Sequence, residues 1–241
     1  MKTINTLALF VVLWALNPTN LHAQWKKVKG SGNVTETTFI TQAYDNVKVV
    51  GSLSVNLISG TEGNLTIKAD DNLHEYVEIE NNGGVLKIKL RKGISYTSKN
   101  DILVTVPFTD LSEVSLTGSG DVTSNSTLRG SNLTLNVTGS GDMNLNIEGD
   151  TVDAKVTGSG DMVLSGTANN LEVKVTGSGD FEGFTLSAKN TEAYISGSGD
   201  AEVTANEGLK ARVHGSGDIR YKGNPGMSDT KVMGSGTIKS N

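Results

Sequence analysis

The tetrapeptide Gly-Ser-Gly-Asp recurs six times, at 118–121, 139–142, 158–161, 177–180, 197–200 and 215–218, and a seventh copy, Gly-Ser-Gly-Thr, occupies 234–237. Successive first glycines are 21, 19, 19, 20, 18 and 19 residues apart. Self-similarity at a period of about 20 residues marks stacked repeats, because one such unit is too short to bury a core alone. The second half of the chain is therefore read as a solenoid.

The residues before each turn say what kind. Two places before the first glycine stand Leu116, Val137, Val156, Val175, Ile195, Val213 and Val232, and four places before it Val114, Leu135, Ala154, Val173, Ala193, Ala211 and Thr230. Between them come Ser115, Asn136, Lys155, Lys174, Tyr194, Arg212 and Lys231. Such alternation is a strand with one face inward. After the turn an apolar residue returns (Val122, Met143, Met162, Phe181, Ala201, Ile219), so a new strand begins, followed by a looser corner such as 165–170 or 224–229. Parallel stacking of such coils satisfies both the apolar residues and the edge amides, with identical turns in register. Glycine supplies the positive φ that a sharp turn requires. The expectation is an all-β chain, a single-chain right-handed parallel β-helix (β-solenoid) with coils of about 19 residues.

Composition agrees. Aromatic residues make up 5%, and fourteen of the 29 glycines belong to the seven turns, which suits a thin ladder-filled core. There is no Cys, so neither a disulfide nor a lipidated N-terminal cysteine is available, and a formal charge of −5 offers no basic footprint for nucleic acid. At the start, Lys2 precedes an apolar run at 7–16, and Leu21-His22-Ala23 ends it with a small residue. That is the layout of a secretory signal over 1–23, too short to span a bilayer of about 30 Å. No later stretch is apolar enough for a transmembrane segment.

The division that follows is a signal peptide at 1–23, irregular N-terminal coils at 24–117, and regular coils of the same β-helix at 118–241. In the irregular part, Gly30-Ser31-Gly32-Asn33 and Gly51-Ser52-Leu53-Ser54 imitate the turn, and alternating segments continue until Pro107. Two stretches do not repeat: 70–75, polar, with Asp as a helix N-cap, and 91–100, a basic loop with one tyrosine.

The Gly-Ser-Gly-Asn-Val near the start, Tyr44-Asp45-Asn46-Val47-Lys48-Val49, Ala69-Asp70-Asp71-Asn72-Leu73 and the Gly-Ser-Gly-Asp-Val/Met coils together resemble the head GIN domain family, described as "putative autotransporter adhesins". The resemblance spans roughly 29–239. It implies a secreted right-handed β-helix and adhesin-like binding, and it brings no catalytic or ligand residues. No long run of amphipathic strands follows the last repeat, so a translocating barrel is not expected within this sequence.

Two patterns carry candidate chemistry. Asp121, Asp142, Asp161, Asp180, Asp200 and Asp218 would stack about 5 Å apart, where like charges repel unless compensated. Hydrogen bonds from turn amides or a neighbouring Ser in an Asx-turn are the structural reading, with no cofactor. Ca²⁺ is the alternative, although its repeat motif has a second acidic turn that these coils lack. The other pattern is the outward stripe Lys155, Lys174, Tyr194, Arg212 and Lys231, beside the acids Glu113, Asp153, Glu172 and Glu192. It is either a neutralised solvated face or a surface for a glycan or a cell-surface or matrix protein. Beyond the signal only His74 and His214 remain, with no nucleophile, base and orienter together, so a polysaccharide-acting enzyme is the distant alternative. The expected function is an exported, non-enzymatic, adhesin-like binder of glycan, matrix or envelope components, in the periplasm, at the outer membrane or outside. A structural envelope protein without a ligand is the runner-up, and the oligomeric state stays open.

Overall fold

A computed structural model describes residues 26–241. The signal peptide expected at 1–23 lies outside the described residues. Alternation becomes structure in each regular coil. In the coil that begins at Met143, the side chains of Met143, Leu145, Ile147, Val152, Ala154 and Val156 are all buried, while the residues between them face solvent. The inward parity slips once, between Ile147 and Val152, so the coil has two walls of three inward residues each. One edge is the glycine turn. The other is the corner expected at 165–170 in the next coil, which sits where the parity slips but is not loose. Met143–Gly158 stays in parallel register with Met162–Gly177, from Met143↔Met162 to Gly158↔Gly177. We call the wall that leads into the glycine turn the approach wall, and the wall that leaves it the exit wall.

At the turn, both glycines are required. The first has φ between +120° and +145° in all seven copies, and its carbonyl accepts two amides of the next coil, as in Ser140 N and Gly141 N donating to Gly118 O at 2.8 and 3.0 Å. The second glycine has no positive φ, yet a Cβ there would collide with the backbone carbonyl stacked beneath it, that of Gly141 beneath Gly160. A Cβ on the first glycine would strike the carbonyl beneath it as well, that of Gly139 beneath Gly158. The first position is therefore closed by both conformation and stacking, and the second by stacking alone.

The first half departs from simple winding. Asn46–Gly51 pairs in parallel with Val85–Leu90 on one side and Glu113–Gly118 on the other. Ser54–Ser59 likewise lies between Leu103–Phe108 and the start of Val122–Gly139. The chain thus lays down an inner coil, builds the outer one over 85–108, and only then crosses to the regular stack. The irregular coils of this half are stacked out of chain order. Antiparallel strands close the end: Val77–Asn82 folds back on Val85–Leu90 through Gly83 and Gly84, both at positive φ, the signature of a two-residue hairpin. Asn64–Asp70 covers Leu103–Phe108, and Val34–Ile40 covers Asn64–Asp70.

Three local expectations change here. Gly51 does occupy the turn column, accepting the amides of Ser119 and Gly120. Gly30-Ser31-Gly32-Asn33 does not: it wraps Asp71 and Asn72, with the Ser31 hydroxyl and Asn33 side-chain amide donating to Asp71 and the Ser31 backbone amide to Asn72. Asp is not the helix cap either, since the 3-10 turn His74–Tyr76 has Leu73 as N-cap and no side-chain cap bond. Asp70 is fully buried and takes hydrogen bonds from Ser98 and Asn100, which hold its carboxyl below the usual range. The stretch 91–100 is partly strand, Ile94–Thr97 pairing with Lys26–Lys29, and Tyr96 donates to the Ser52 carbonyl. The stretch Ala69-Asp70-Asp71-Asn72 therefore ties together three segments of the cap.

Crowding at the second glycine makes Gly160→Ala a sharp test. It should cost about 3 kcal/mol in denaturant melts, the scale of overpacking against an immovable backbone. Ser159→Ala, at the exposed neighbour, should shift the midpoint little.

Candidate functional site

On the approach wall, parallel register turns sequence positions into columns. The outward column three residues before the glycine reads Lys87, Lys48, Ser115, Asn136, Lys155, Lys174, Tyr194, Arg212 and Lys231. All five stripe residues fall in it. Lys48 and Lys87 extend it and were missed, because out-of-order threading hides their place in the stack.

Beside it runs the column Glu113, Thr134, Asp153, Glu172, Glu192, Lys210 and Asp229. Lys155 pairs with Asp153 at 2.8 Å, Lys210 with Glu192 at 3.0 Å, Lys174 with Glu172, and Arg212 with Asp229. These groups are substantially solvated, so the pairs add little to stability. Their effect is to neutralise the face and hold the long side chains in order. Among the described residues Lys231 forms no ion pair of this kind.

Tyr194 is the centre of the arrangement. Its hydroxyl donates to the Glu192 carboxylate, and the ammonium groups of Lys210 and Lys174 lie 5.4 and 5.8 Å from its ring centroid, within cation–π range. The Tyr194 hydroxyl, with Lys210, holds the Glu192 carboxyl below the usual range. The Glu172 partner raises Lys174. Tyr194, Lys174, Thr176, Ser196, Arg212 and His214 line a shallow groove of about 590 Å³. The next outward column supplies hydroxyls: Thr138, Thr157, Thr176 and Ser196 in register, then His214.

A second groove of about 580 Å³ lies along the corner opposite the glycine turn, lined among others by Arg129, Glu148, Asp150, Asn169 and Lys189. Arg129 pairs with Glu148 at 3.0 Å, and Asn169 donates to Asp150 at 2.7 Å. It escaped sequence reading because corner residues fall outside the strand alternation; aligning Ser131, Asp150, Asn169 and Lys189 from coil to coil was the available signal.

The aspartates form a ladder between coils rather than local Asx-turns. The Oδ1 of Asp142, Asp161, Asp180 and Asp200 accepts the backbone amide of the next aspartate, at 2.9, 2.8, 2.7 and 2.7 Å. Asp121 makes a longer contact of 3.4 Å to the Asp142 amide. Asp218 ends the series by accepting both the amide and the hydroxyl of Thr237, which accounts for threonine in the seventh turn. No group of three or more His, Cys, Asp or Glu with the spacing of a metal site occurs among the described residues. His74 lies at the cap, 3.0 Å from the hydroxyls of both Thr35 and Thr37, with the solenoid between it and His214.

A stacked coil with a glycine–aspartate edge and flat walls is a scaffold that presents surface. The chain belongs to the family described as "Putative auto-transporter adhesin, head GIN domain", which it matches over residues 43–225. Its fold resembles the crystal structure of a putative adhesin from Bacteroides fragilis, with TM-score 0.82 and 24% identity over 89% of this chain and all of that one. A putative adhesin from Parabacteroides distasonis is 28% identical with TM-score 0.73, covering 89% of this chain and 100% of its own. A putative lipid binding protein from the same species is also 28% identical, with TM-score 0.74 over 90% of this chain and 100% of its own. No curated protein matches the chain. No helix among the described residues is long and apolar enough to cross a membrane.

The Thr237 hydroxyl, then its amide, hold the Asp218 carboxyl below the usual carboxylate range. A carboxyl lowered by folding contributes stability above its unfolded pKa, and that contribution is lost as pH falls through the folded value. Melting temperature should therefore drop below about pH 4, and Asp218→Asn should drop less steeply over the same range.

Proposed function

We propose that this is an exported, non-enzymatic protein that binds glycan through its approach wall, with Tyr194 as the anchor. One observation carries the reading. An aromatic ring held by Glu192 and flanked by Lys174 and Lys210 lies in a groove beside a hydroxyl column. The ring offers a face for stacking on the C–H surface of a sugar. The aligned Thr and Ser hydroxyls, with charges already neutralised, offer hydrogen bonds at the repeat of the coil. Membership of an adhesin-like family supports surface binding as the task. The leader at 1–23 supplies export, to the periplasm, the outer membrane or the exterior.

The test is a glycan and matrix-protein binding screen on purified protein, with Tyr194→Ala and Lys174→Ala. Tyr194→Ala should weaken binding at least about tenfold, the loss of roughly 1.4 kcal/mol, while neither variant changes the melting curve appreciably. Binding untouched by Tyr194→Ala, or cleavage of any polysaccharide in the screen, sinks the reading. Lipid vesicles belong in the same screen because one structural neighbour is named for lipid binding.

A second reading, a structural envelope protein without a ligand, is favoured by the near-complete pairing of the wall's cations with neighbouring acids. Protease shaving of intact cells separates the two: digestion with a periplasmic control intact supports the surface binder, and protection supports the structural role. We further propose that the aspartate ladder is a hydrogen-bonding device and takes no Ca²⁺. EDTA should then leave the melting temperature unchanged, and a drop that Ca²⁺ restores would overturn this.

A further inference from the structure

The two ends of the solenoid are finished differently. One is closed by antiparallel strands, as described above. At the other, the final approach-wall strand Met227–Gly234 pairs only with Gly208–Gly215, and among the described residues nothing covers its outer edge. The inward positions Thr230 and Val232, buried in every earlier coil, are exposed here, and so are Met227 and Met233.

This edge is specific about which groups it offers. The Met227 amide donates inward, to Glu207 O. In a parallel ladder alternate residues point both backbone groups to the same side, so Ser228, Thr230 and Val232 aim their N–H and C=O outward. An incoming strand must meet those three residues.

We propose that Met227–Gly234 is a dimerisation edge that pairs antiparallel with the same strand of a second copy, with Thr230 on the two-fold axis. In that register Thr230 faces Thr230 and Ser228 faces Val232, each pair exchanging two backbone hydrogen bonds. Asp229 then stands opposite Lys231, twice by symmetry, at the closer non-hydrogen-bonded positions. Met227 covers Met233, and Lys231 gains a carboxylate. Recentring the pairing on Asp229 or on Lys231 keeps the hydrogen-bond parity but sets two like charges face to face. The strand is thus complementary to itself in one register, the condition for an isologous contact. Opposed residues of an antiparallel pair share a face, so the approach walls of both copies join into one surface. The inference stands whether or not that surface binds glycan.

Sedimentation velocity on the purified protein tests it. We expect a dimer at about 100 µM that dissociates on dilution towards about 1 µM. Thr230→Pro removes an outward amide without touching the ladder to the previous coil, and should give a monomer with an unchanged melting curve. Asp229→Lys should also give a monomer, by placing ammonium groups opposite each other, and Asp229→Lys with Lys231→Asp should restore the dimer. A wild-type monomer at the highest concentration overturns the proposal, as does a dimer that survives Asp229→Lys. Should Thr230→Pro lower the melting temperature, the charge reversal and its rescue decide the matter alone.

Discussion

Everything in this fold depends on backbone approaching backbone at the spacing of a parallel sheet, carried without interruption around a corner. At the glycine turn that approach is so close that no side chain fits between coils, and a single carbonyl must serve two amides. Two glycines per coil meet that demand, both through the missing Cβ and the first through its torsion angle as well. Once the turns coincide, every other residue is held in a column, and inward and outward faces follow. The aspartate that closes each turn serves the same end: its carboxylate takes up an amide of the coil above, so a row of like charges becomes part of the ladder.

The regular half was legible because its periodicity is literal. The inward columns from Val114 and Leu116 onward, the outward stripe through Tyr194 and the apolar residues after each turn all fall where alternation and the repeat place them. The cap was not. Gly30-Ser31-Gly32-Asn33 copies the turn motif in letters but meets Asp71 and Asn72 instead of another coil. No local signal distinguishes it from Gly51, which does join the column. The order of coils was equally hidden, since alternation in 85–90 and 103–108 states that these are strands but not that they stack outside 46–59. Register between segments distant in sequence is a tertiary property, and only the repeat had made it readable elsewhere.

The same limit governs the candidate site. Tyr194, its cationic neighbours and the acid column beside them were visible as a stripe that could neutralise itself, whereas the individual partners, Asp229 for Arg212 above all, depend on rotamers that pattern cannot supply. Pairing changes the character of the face. Free lysines would make it a general anion-binding surface; lysines tethered to carboxylates make it nearly neutral, with the aromatic ring as its distinctive element. Selectivity on such a wall must come from shape and hydrogen bonding more than from attraction at a distance.

Threading the cap out of order also sets how the molecule comes apart. Each coil beyond the third turn touches little except its two neighbours, so loss of the last one leaves the rest essentially intact, and opening can proceed coil by coil from that end. The inner coil at 46–59 is different, because its partners on either side arrive from 85–108 and from 113–124. It cannot be released without parting both. The protein therefore combines a ratchet-like stack at one end with an all-or-none block at the other, and amide hydrogen exchange should be slowest in a segment that lies early in the chain yet deep in the pile.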